Sequence, residues 1–268
     1  MVPLWRHRKL KNMILATHGF LASSIGQFDA DAQAFFNRVT TAGGTLSATE
    51  QNAVNTLVIQ MKTDGIWTKM KAIYPMVGAS AAACAQNLKS SSFTGSFSGG
   101  WTFSSNGVTG NGSNGFMETN LSSNTSLTRD SVSLSIYART SGTDGDIGDK
   151  TITGGFCGMF NGTSFVGYLG DLNNVSVSQA NVIGFFTISR SNLTQVNFYK
   201  NGSALGTNPK NSNAGSLNTG TLVISRANTS YSNKQNAFAS IGDGLTSTEA
   251  SNFYTAVQAF QTTLSRQV

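Results

Sequence analysis

The sequence predicts a mainly β protein built as an antiparallel two-sheet sandwich. In the segment Val132–Ala138 apolar residues occupy every second position, the pattern of a strand with one buried face. Short segments of this kind recur through residues 93–242, separated by turns rich in Gly, Asn and Ser. Asn201-Gly202 joins two such segments, and this dipeptide is the strongest short-range signal of a β-hairpin.

Charge is spread unevenly along the chain. The 268 residues carry a net charge of +6, and only 11% of them are charged. Four basic residues precede the first acidic residue, whereas residues 93–233 hold seven basic and six acidic residues. The four basic residues are Arg6, Arg8, Lys9 and Lys11. We therefore expect a basic N-terminal arm, residues 1–27, ahead of a nearly neutral body.

The arm has several interpretations. Trp5 and Leu10 supply apolar anchors beside the basic side chains, so the arm suits docking on an acidic partner surface. A solvated tail and a secretion signal remain open, although His18 and Gly19 interrupt the short apolar segment that a signal needs. Nucleic acid is the weaker partner, because the charges come without a recognised reading module. No stretch approaches the roughly 20 apolar residues of a membrane span.

Helices are predicted on both sides of the strands. Apolar residues recur at helical spacing in residues 28–71, where Ser47 and Glu50 form a capping box. Thr246 and Glu249 form a second capping box ahead of the last helix. We expect the first helices to form a small layer at one end or edge of the sheets. The predicted organisation is an arm (1–27), a helical segment (28–71), a β-sandwich (72–244) and a C-terminal helix packed on the sandwich (245–268).

Three aspartates lie in the Gly-rich segment 142–150, namely Asp144, Asp146 and Asp149. Carboxylates at such spacing can gather around calcium, but the full EF-hand pattern is missing and no glutamate closes it. We expect a solvated hairpin tip, with a metal site as the weaker alternative. No other cofactor is expected.

The two cysteines, Cys84 and Cys157, are too few for a disulfide framework. Cys157 lies in an apolar run and is expected to be a small buried residue. A bridge between the two cysteines remains open.

Catalysis is not expected. Glycoside hydrolysis needs two carboxylates that face each other across a cleft. The chain has three glutamates, of which Glu50 and Glu249 belong to capping boxes and Glu118 has no partner on its strand. Both histidines, His7 and His18, lie in the arm, so the sandwich lacks a histidine for a triad or a metal site.

Several segments resemble the concanavalin A-like or laminin-G-like jelly-roll family. They are residues 101–108, 112–116, 131–140, 196–206 and 238–250. These segments look like an early strand pair, a long central strand, a hairpin between core strands, and a closing strand with its capped turn. The resemblance covers roughly residues 93–250 and implies a jelly-roll sandwich.

A second resemblance extends over nearly the whole chain. Residues 28–36, 65–78 and 238–266 are similar to a recurrent protein of tailed bacteriophages, including crAss-like phages. The resemblance implies a non-enzymatic structural component of the virion, such as a tail, head-fibre or other minor structural protein. Its partners would be other virion proteins, in a homo-oligomer or a multi-subunit assembly. The arm would anchor the chain, and the lectin-like sandwich would be displayed.

The alternative function is a carbohydrate-binding module that attaches to a cell-surface glycan. Such a site needs an exposed aromatic side chain beside amides and carboxylates that bond sugar hydroxyls. The candidate contacts are Tyr168, Asp171 and Tyr231. The sequence does not place them on one surface, and the lectin-like fold alone does not imply sugar binding.

Overall fold

The computed structural model describes residues 28–151, 155–170, 173–211 and 216–268. Within these ranges the helices are α1 (Ala30–Thr41), α2 (Ala48–Thr63), α3 (Ala81–Cys84), α4 (Ser123–Ser126) and α5 (Ser247–Thr263), with a 3₁₀ turn at Trp67–Lys69. None of these helices combines the length and the apolar character that crossing a membrane requires.

The described strands form two large sheets and one small hairpin. In chain order they are β1 (Met70–Tyr74), β2 (Ser96–Ser98), β3 (Trp101–Ser104), β4 (Gly107–Gly110), β5 (Phe116–Ser122), β6 (Val132–Ala138), β7 (Ile147–Asp149), β8 (Cys157–Asn161), β9 (Ser164–Leu169), β10 (Val175–Ser178), β11 (Gly184–Arg190), β12 (Gln195–Lys200), β13 (Ser203–Pro209), β14 (Thr221–Ile224), β15 (Arg226–Ala227), β16 (Ser230–Tyr231) and β17 (Gln235–Gly242). An eight-stranded sheet has the order β13-β12-β11-β6-β17-β4-β3, with β1 also paired to β17. A seven-stranded sheet has the order β10-β9-β8-β7-β14-β5-β2. Strands β15 and β16 form the hairpin.

The two large sheets enclose one apolar core. Leu134, Ile136 and Ile188 of the eight-stranded sheet pack in the same cluster as buried side chains of the seven-stranded sheet. The ring of Phe165 on β9 lies 5.4 Å from Phe186 on β11, measured between ring centroids, and so joins the sheets directly. The predicted two-sheet antiparallel jelly-roll sandwich is confirmed, because neighbouring strands in the large sheets pair antiparallel.

A layer of helices covers the outer face of the eight-stranded sheet, where Phe185 and Phe238 are both cross-strand neighbours of Tyr137. These three rings form an aromatic row that α5 covers, with the Phe253 centroid 5.3 Å from that of Phe185. Helices α1 and α2 pack into the same cluster through side chains such as Phe35 and Val58. Helix α5 covers this aromatic row, whereas the expected position of the first helices at an end or edge of the sheets stays a prediction.

The central strand β6 corrects a second expectation. All seven of its residues are buried, so the prediction of one buried face is wrong. The helical layer covers the side that was expected to meet solvent. The small polar residues on that side are satisfied internally: the hydroxyls of Ser135 and Thr187 lie 2.9 Å apart, and Ser133 Oγ donates to Asp243 O at 2.8 Å.

Local signals in the sequence identify element ends correctly. Both predicted capping boxes are present, Ser47 with Glu50 at α2 and Thr246 with Glu249 at α5. The Asn201-Gly202 turn joins β12 to β13, and positive φ angles of 48° and 71° are typical of such a tight turn. These agreements follow because caps and turns depend on neighbouring residues.

The sandwich begins slightly earlier than predicted, since β1 starts at Met70 rather than residue 72. Cys84 and Cys157 are both free and buried, which closes the question of a bridge. Burial raises the pKa of the Cys84 thiol to about 12.

Candidate functional site

Some predicted site residues fall outside the part of the chain that the structure describes. These are the arm residues Trp5, Arg6, Arg8, Lys9, Leu10 and Lys11, and the glycan candidate Asp171. Docking through the arm and a contact at Asp171 therefore stay predictions.

The three aspartates of segment 142–150 do not share one environment. Asp144 is exposed, whereas Asp146 and Asp149 are fully buried. The Asp149 carboxylate accepts hydrogen bonds from Ser123 Oγ at 2.5 Å and Cys157 N at 2.7 Å. Both interpretations of the segment, a solvated tip and a calcium loop, are wrong, because two of the three carboxylates lie inside the sandwich. Among the described residues no group of three His, Cys, Asp or Glu side chains is placed to hold a metal ion.

The two candidate tyrosines lie in separate aromatic clusters. Tyr168 on β9 alternates with the core residues Phe165 and Leu169 and therefore faces away from the core. Its ring packs against Phe156 at 5.0 Å between centroids. Tyr231 on β16 instead packs beside Phe116, with ring centroids 6.4 Å apart. The structure does not bring the two tyrosines into one ring cluster.

The glutamates are engaged in structural contacts. Glu50 closes its capping box and accepts from Gly78 N at 2.7 Å. Glu249 closes the other box and pairs with Lys69 at 2.7 Å. Glu118 Oε2 pairs with Lys150 Nζ at 3.2 Å, while Glu118 Oε1 is buried without a hydrogen-bond partner.

A cleft of about 360 Å³ lies between the β12–β13 hairpin and the first turn of α5. We call it the hairpin cleft, and its lining residues are Ser191, Gln195, Asn197, Tyr199, Ala204, Gly206, Thr207, Thr246 and Ser247. Every one of these side chains is neutral, and most carry a hydroxyl or an amide. The cleft therefore offers hydrogen-bonding groups without charge.

Strand alternation builds the floor of the cleft. Val196 and Phe198 point into the sandwich core. Gln195, Asn197 and Tyr199 consequently lie on the opposite face of β12. A bulge between Phe198 and Tyr199 shifts the register against β13. Such a bulge bends the strand and re-aims the side chain beside it.

The helix α5 holds the hairpin in place. A Cβ atom at Gly202 would lie 3.0 Å from Tyr254 Cβ, so only glycine lets the hairpin tip approach the helix this closely. The loop before α5 is fixed by Ser189, whose hydroxyl accepts from Leu245 N at 2.7 Å. The walls of the cleft thus come from two elements in tight contact.

Two polar groups at the floor of the cleft are buried but not fully bonded. Tyr199 is 4% exposed and Asn197 is 7% exposed. Within the described residues, neither the Tyr199 hydroxyl nor Asn197 Nδ2 has a hydrogen-bond partner, and Asn197 Oδ1 accepts only a long 3.3 Å bond from Gln195. Both atoms are accessible to solvent. Burial raises the pKa of Tyr199.

Sequence reasoning identified β12 and β13 as a hairpin but did not identify this site. The available signal was the run of Gln195, Asn197 and Tyr199 at every second position, opposite the apolar Val196 and Phe198. That pattern predicts a polar face that ends in an aromatic residue. Nothing in it shows that α5 would enclose the face.

No protein-family model matches the sequence, and no curated protein matches it either. Domain 4 of AbnA, a GH43 extracellular arabinanase from Geobacillus stearothermophilus whose structure was solved in complex with arabinotriose, superimposes with a TM-score of 0.51 at 12% identity, covering 69% of this chain and 98% of that one. Trypanosoma rangeli sialidase in complex with sialic acid superimposes with a TM-score of 0.50 at 11% identity, covering 75% of this chain but only 38% of the sialidase. These likenesses concern the fold alone, a β-sandwich.

Proposed function

We propose that the chain is a non-catalytic carbohydrate-binding module and that the hairpin cleft holds a neutral saccharide. The observation that carries the proposal is the Tyr199 hydroxyl. It belongs to a side chain that is almost fully buried and lines the cleft. Among the described residues this hydroxyl has no hydrogen-bond partner. Solvent reaches this hydroxyl, so water bonds it in the free protein and a ligand hydroxyl can take the place of that water.

The chemistry of the lining supports a saccharide over other small ligands. Amide groups of Gln195 and Asn197 can donate and accept at once, as sugar hydroxyls require. Thr246 and Ser247 add hydroxyls on the opposite wall. A site that bonds ligand hydroxyls rejects analogues without them, because its own polar groups would then stay unpaired.

The absence of charge in the lining supports binding without hydrolysis. Glycoside hydrolysis uses a pair of carboxylates that flank the scissile bond. The hairpin cleft has neither an aspartate nor a glutamate in its lining. The arabinanase domain of similar fold is itself described in complex with arabinotriose. A sandwich of this shape is therefore compatible with oligosaccharide binding.

The virion role stays a prediction from the sequence resemblance. Neither of the two similar structures is a phage protein. The proposal does not exclude a virion role, since a glycan-binding module carried on a particle would serve attachment to a cell surface. Incorporation of the chain into particles, with and without residues 1–27, tests that role separately.

The test of the proposed function is calorimetric titration with neutral trisaccharides: arabinotriose, xylotriose, maltotriose and triacetylchitotriose. We expect at least one to bind with a Kd below about 1 mM and to remain uncleaved. Tyr199→Phe removes one hydroxyl and should weaken binding of that sugar about tenfold, or 1.4 kcal/mol. Asn197→Ala should weaken it similarly.

Matched controls locate the site. Tyr168→Phe removes the same hydroxyl from the other sheet, and Asn37→Ala removes an exposed amide from α1. Both controls should leave the Kd within about twofold of the parent. The proposal is wrong if no trisaccharide binds. It is also wrong if Tyr168→Phe abolishes binding while Tyr199→Phe leaves it unchanged.

A further inference from the structure

A cluster of two cations and two aromatic rings lies outside the hairpin cleft, where the β15–β16 hairpin meets the seven-stranded sheet. Phe116 stands on β5 and alternates with the core residue Met117, so its ring faces away from the sandwich core. The Arg226 guanidinium lies over this ring at 5.2 Å from the centroid, and over the ring of Tyr231 at 5.0 Å. The Lys150 ammonium lies 4.8 Å from the Phe116 centroid. One ring thus holds two cations.

The cations are held in place by backbone and ring contacts. Arg226 Nε donates to Asn228 O at 2.6 Å, and Arg226 Nη2 donates a longer bond to Lys150 O at 3.4 Å. Arg226 Nη1 donates to no atom of the described chain. Stacking on aromatic rings orients the planar guanidinium and leaves its outer edge open to a partner.

The charges of the cluster do not balance. Glu118 Oε2 pairs with Lys150 Nζ at 3.2 Å and neutralises one cation. Arg226 forms no ion pair with any described carboxylate. The cluster therefore holds one uncompensated positive charge, although residues 93–233 as a whole are nearly neutral. Like charges held on one ring repel each other, and an added anion relieves that repulsion.

We propose that this cluster is a second binding site, for a saccharide that carries a carboxylate. The free edge of Arg226 matches a carboxylate in geometry, and the single excess charge matches a monoanion rather than a phosphate dianion. The Tyr231 hydroxyl has no hydrogen-bond partner in the described protein and stands beside the guanidinium, where it can bond a sugar hydroxyl. A uronic acid carries both a carboxylate and hydroxyl groups on one sugar ring.

The test compares tetragalacturonate with its fully methyl-esterified form, by calorimetric titration of the full chain in about 50 mM and about 500 mM NaCl. The acid should bind at low salt and lose affinity at high salt, whereas the ester should bind at least tenfold more weakly. Arg226→Gln should weaken binding of the acid about tenfold, and Lys150→Gln should weaken it several-fold.

Lys89→Gln is the matched control, because Lys89 also lies over an aromatic ring, 4.5 Å from Trp67, but in the helical layer. It should bind the acid as the parent does. Equal losses in Lys89→Gln and Lys150→Gln would show unspecific charge attraction and overturn the proposal, as would unchanged binding by Arg226→Gln. Tighter binding of an acidic tetrapeptide than of tetragalacturonate would also overturn it.

The experiment separates this site from the hairpin cleft. Tyr199→Phe should leave binding of tetragalacturonate unchanged, since Tyr199 lies on the eight-stranded sheet. Loss of acid binding in Tyr199→Phe would place the acid in the cleft and contradict a second site. Lys150 is 40% exposed, so Lys150→Gln keeps the test decisive even if Arg226→Gln fails to fold.

Discussion

The ammonium group of Lys234 lies 3.0 Å from each carboxylate oxygen of Asp146, and both side chains are fully buried. Lys234 precedes β17 of the eight-stranded sheet, and Asp146 precedes β7 of the seven-stranded sheet. The pair therefore links the two sheets inside the sandwich. Asn161 completes the network, because its backbone N donates to Asp146 Oδ2 at 3.0 Å and its carbonyl accepts from Lys234. Burial raises the pKa of Asp146, and the charge of Lys234 opposes that shift.

Removing one partner of this pair should strongly destabilise the protein. We expect Lys234→Met to lower the free energy of unfolding by about 3–5 kcal/mol, because Asp146 would stay buried without its counter-ion. The double variant Asp146→Asn with Lys234→Met should cost clearly less than the sum of the two single changes. Urea unfolding of all four proteins measures this coupling.

A surface lysine supplies the control for that cycle. Lys62 pairs with Asp29 and Asp31 at 2.6 Å, but its side chain is 33% exposed. Lys62→Met should cost no more than about 1 kcal/mol. Equal costs for Lys62→Met and Lys234→Met would mean that burial of the Lys234 pair has no energetic consequence.

Stability should depend on pH through Asp149. Burial raises the pKa of Asp149 from 3.8 to about 7, although hydrogen bonds from Ser123 and Cys157 lower it. Between these values the folded state binds more protons than the unfolded state. The contribution of Asp149 to the free energy of unfolding is therefore fully present below about pH 4 and falls as the pH rises to about 7, by roughly 4 kcal/mol in total.

Asp149→Asn isolates this contribution. The asparagine amide can accept from Cys157 N and donate to Ser123 Oγ, so it imitates the protonated acid. The parent should lose stability relative to Asp149→Asn as the pH rises from 4.5 to 8, measured by urea unfolding at each pH. A difference between the two proteins that is the same at both pH values would contradict the raised pKa.

Cavities in the core beside β6 should strongly destabilise the protein. Leu134 and Ile136 are fully buried between the sheets, so Leu134→Ala and Ile136→Ala should each cost about 2–5 kcal/mol of unfolding free energy. Leu193→Ala is the control, because Leu193 is 53% exposed and its loss should cost less than about 0.5 kcal/mol. Costs near zero at both core positions would mean that β6 is not central.

Truncation after Gly244 should remove the cover of the aromatic row. Tyr137, Phe185 and Phe238 would then meet solvent, and we expect increased binding of an apolar dye and earlier thermal aggregation. Thr255→Ala changes one exposed side chain of α5, leaves the helix in place and serves as the control. A truncated protein that is as soluble and heat-resistant as the parent would show that α5 does not contribute to the core.

The fold could be predicted where the signal is local or periodic. The Asn201-Gly202 turn and the capping boxes at Ser47 and Thr246 were predicted correctly, because each depends on residues within one turn of chain. The burial of Asp146 and Asp149 was not predicted. Their partners are Lys234 and Cys157, of which Lys234 is distant in sequence, and no local pattern reveals such a pairing.

The candidate sites show the same division. The sequence predicts Tyr231 as a glycan contact, but its neighbours Phe116 and Arg226 come from other strands. The sequence predicts that Tyr199 lies in a hairpin but gives it no binding role, because the exposure of its side chain depends on how α5 packs against the hairpin. A binding surface joins residues that are far apart in sequence, and periodicity reports only which face of an element is apolar.

The sequence by itself determined the class of the fold, the positions of its turns and caps, and the nearly neutral charge of its body, since all three follow from residue type and short-range spacing. Only the tertiary structure decided that helices cover a sheet face, that Lys234 and Asp146 meet inside the sandwich, and that β12, β13 and α5 form a cleft. The physical reason is that burial is a property of the assembled chain: a polar side chain on a strand meets solvent, a helix or a partner charge according to what packs above it.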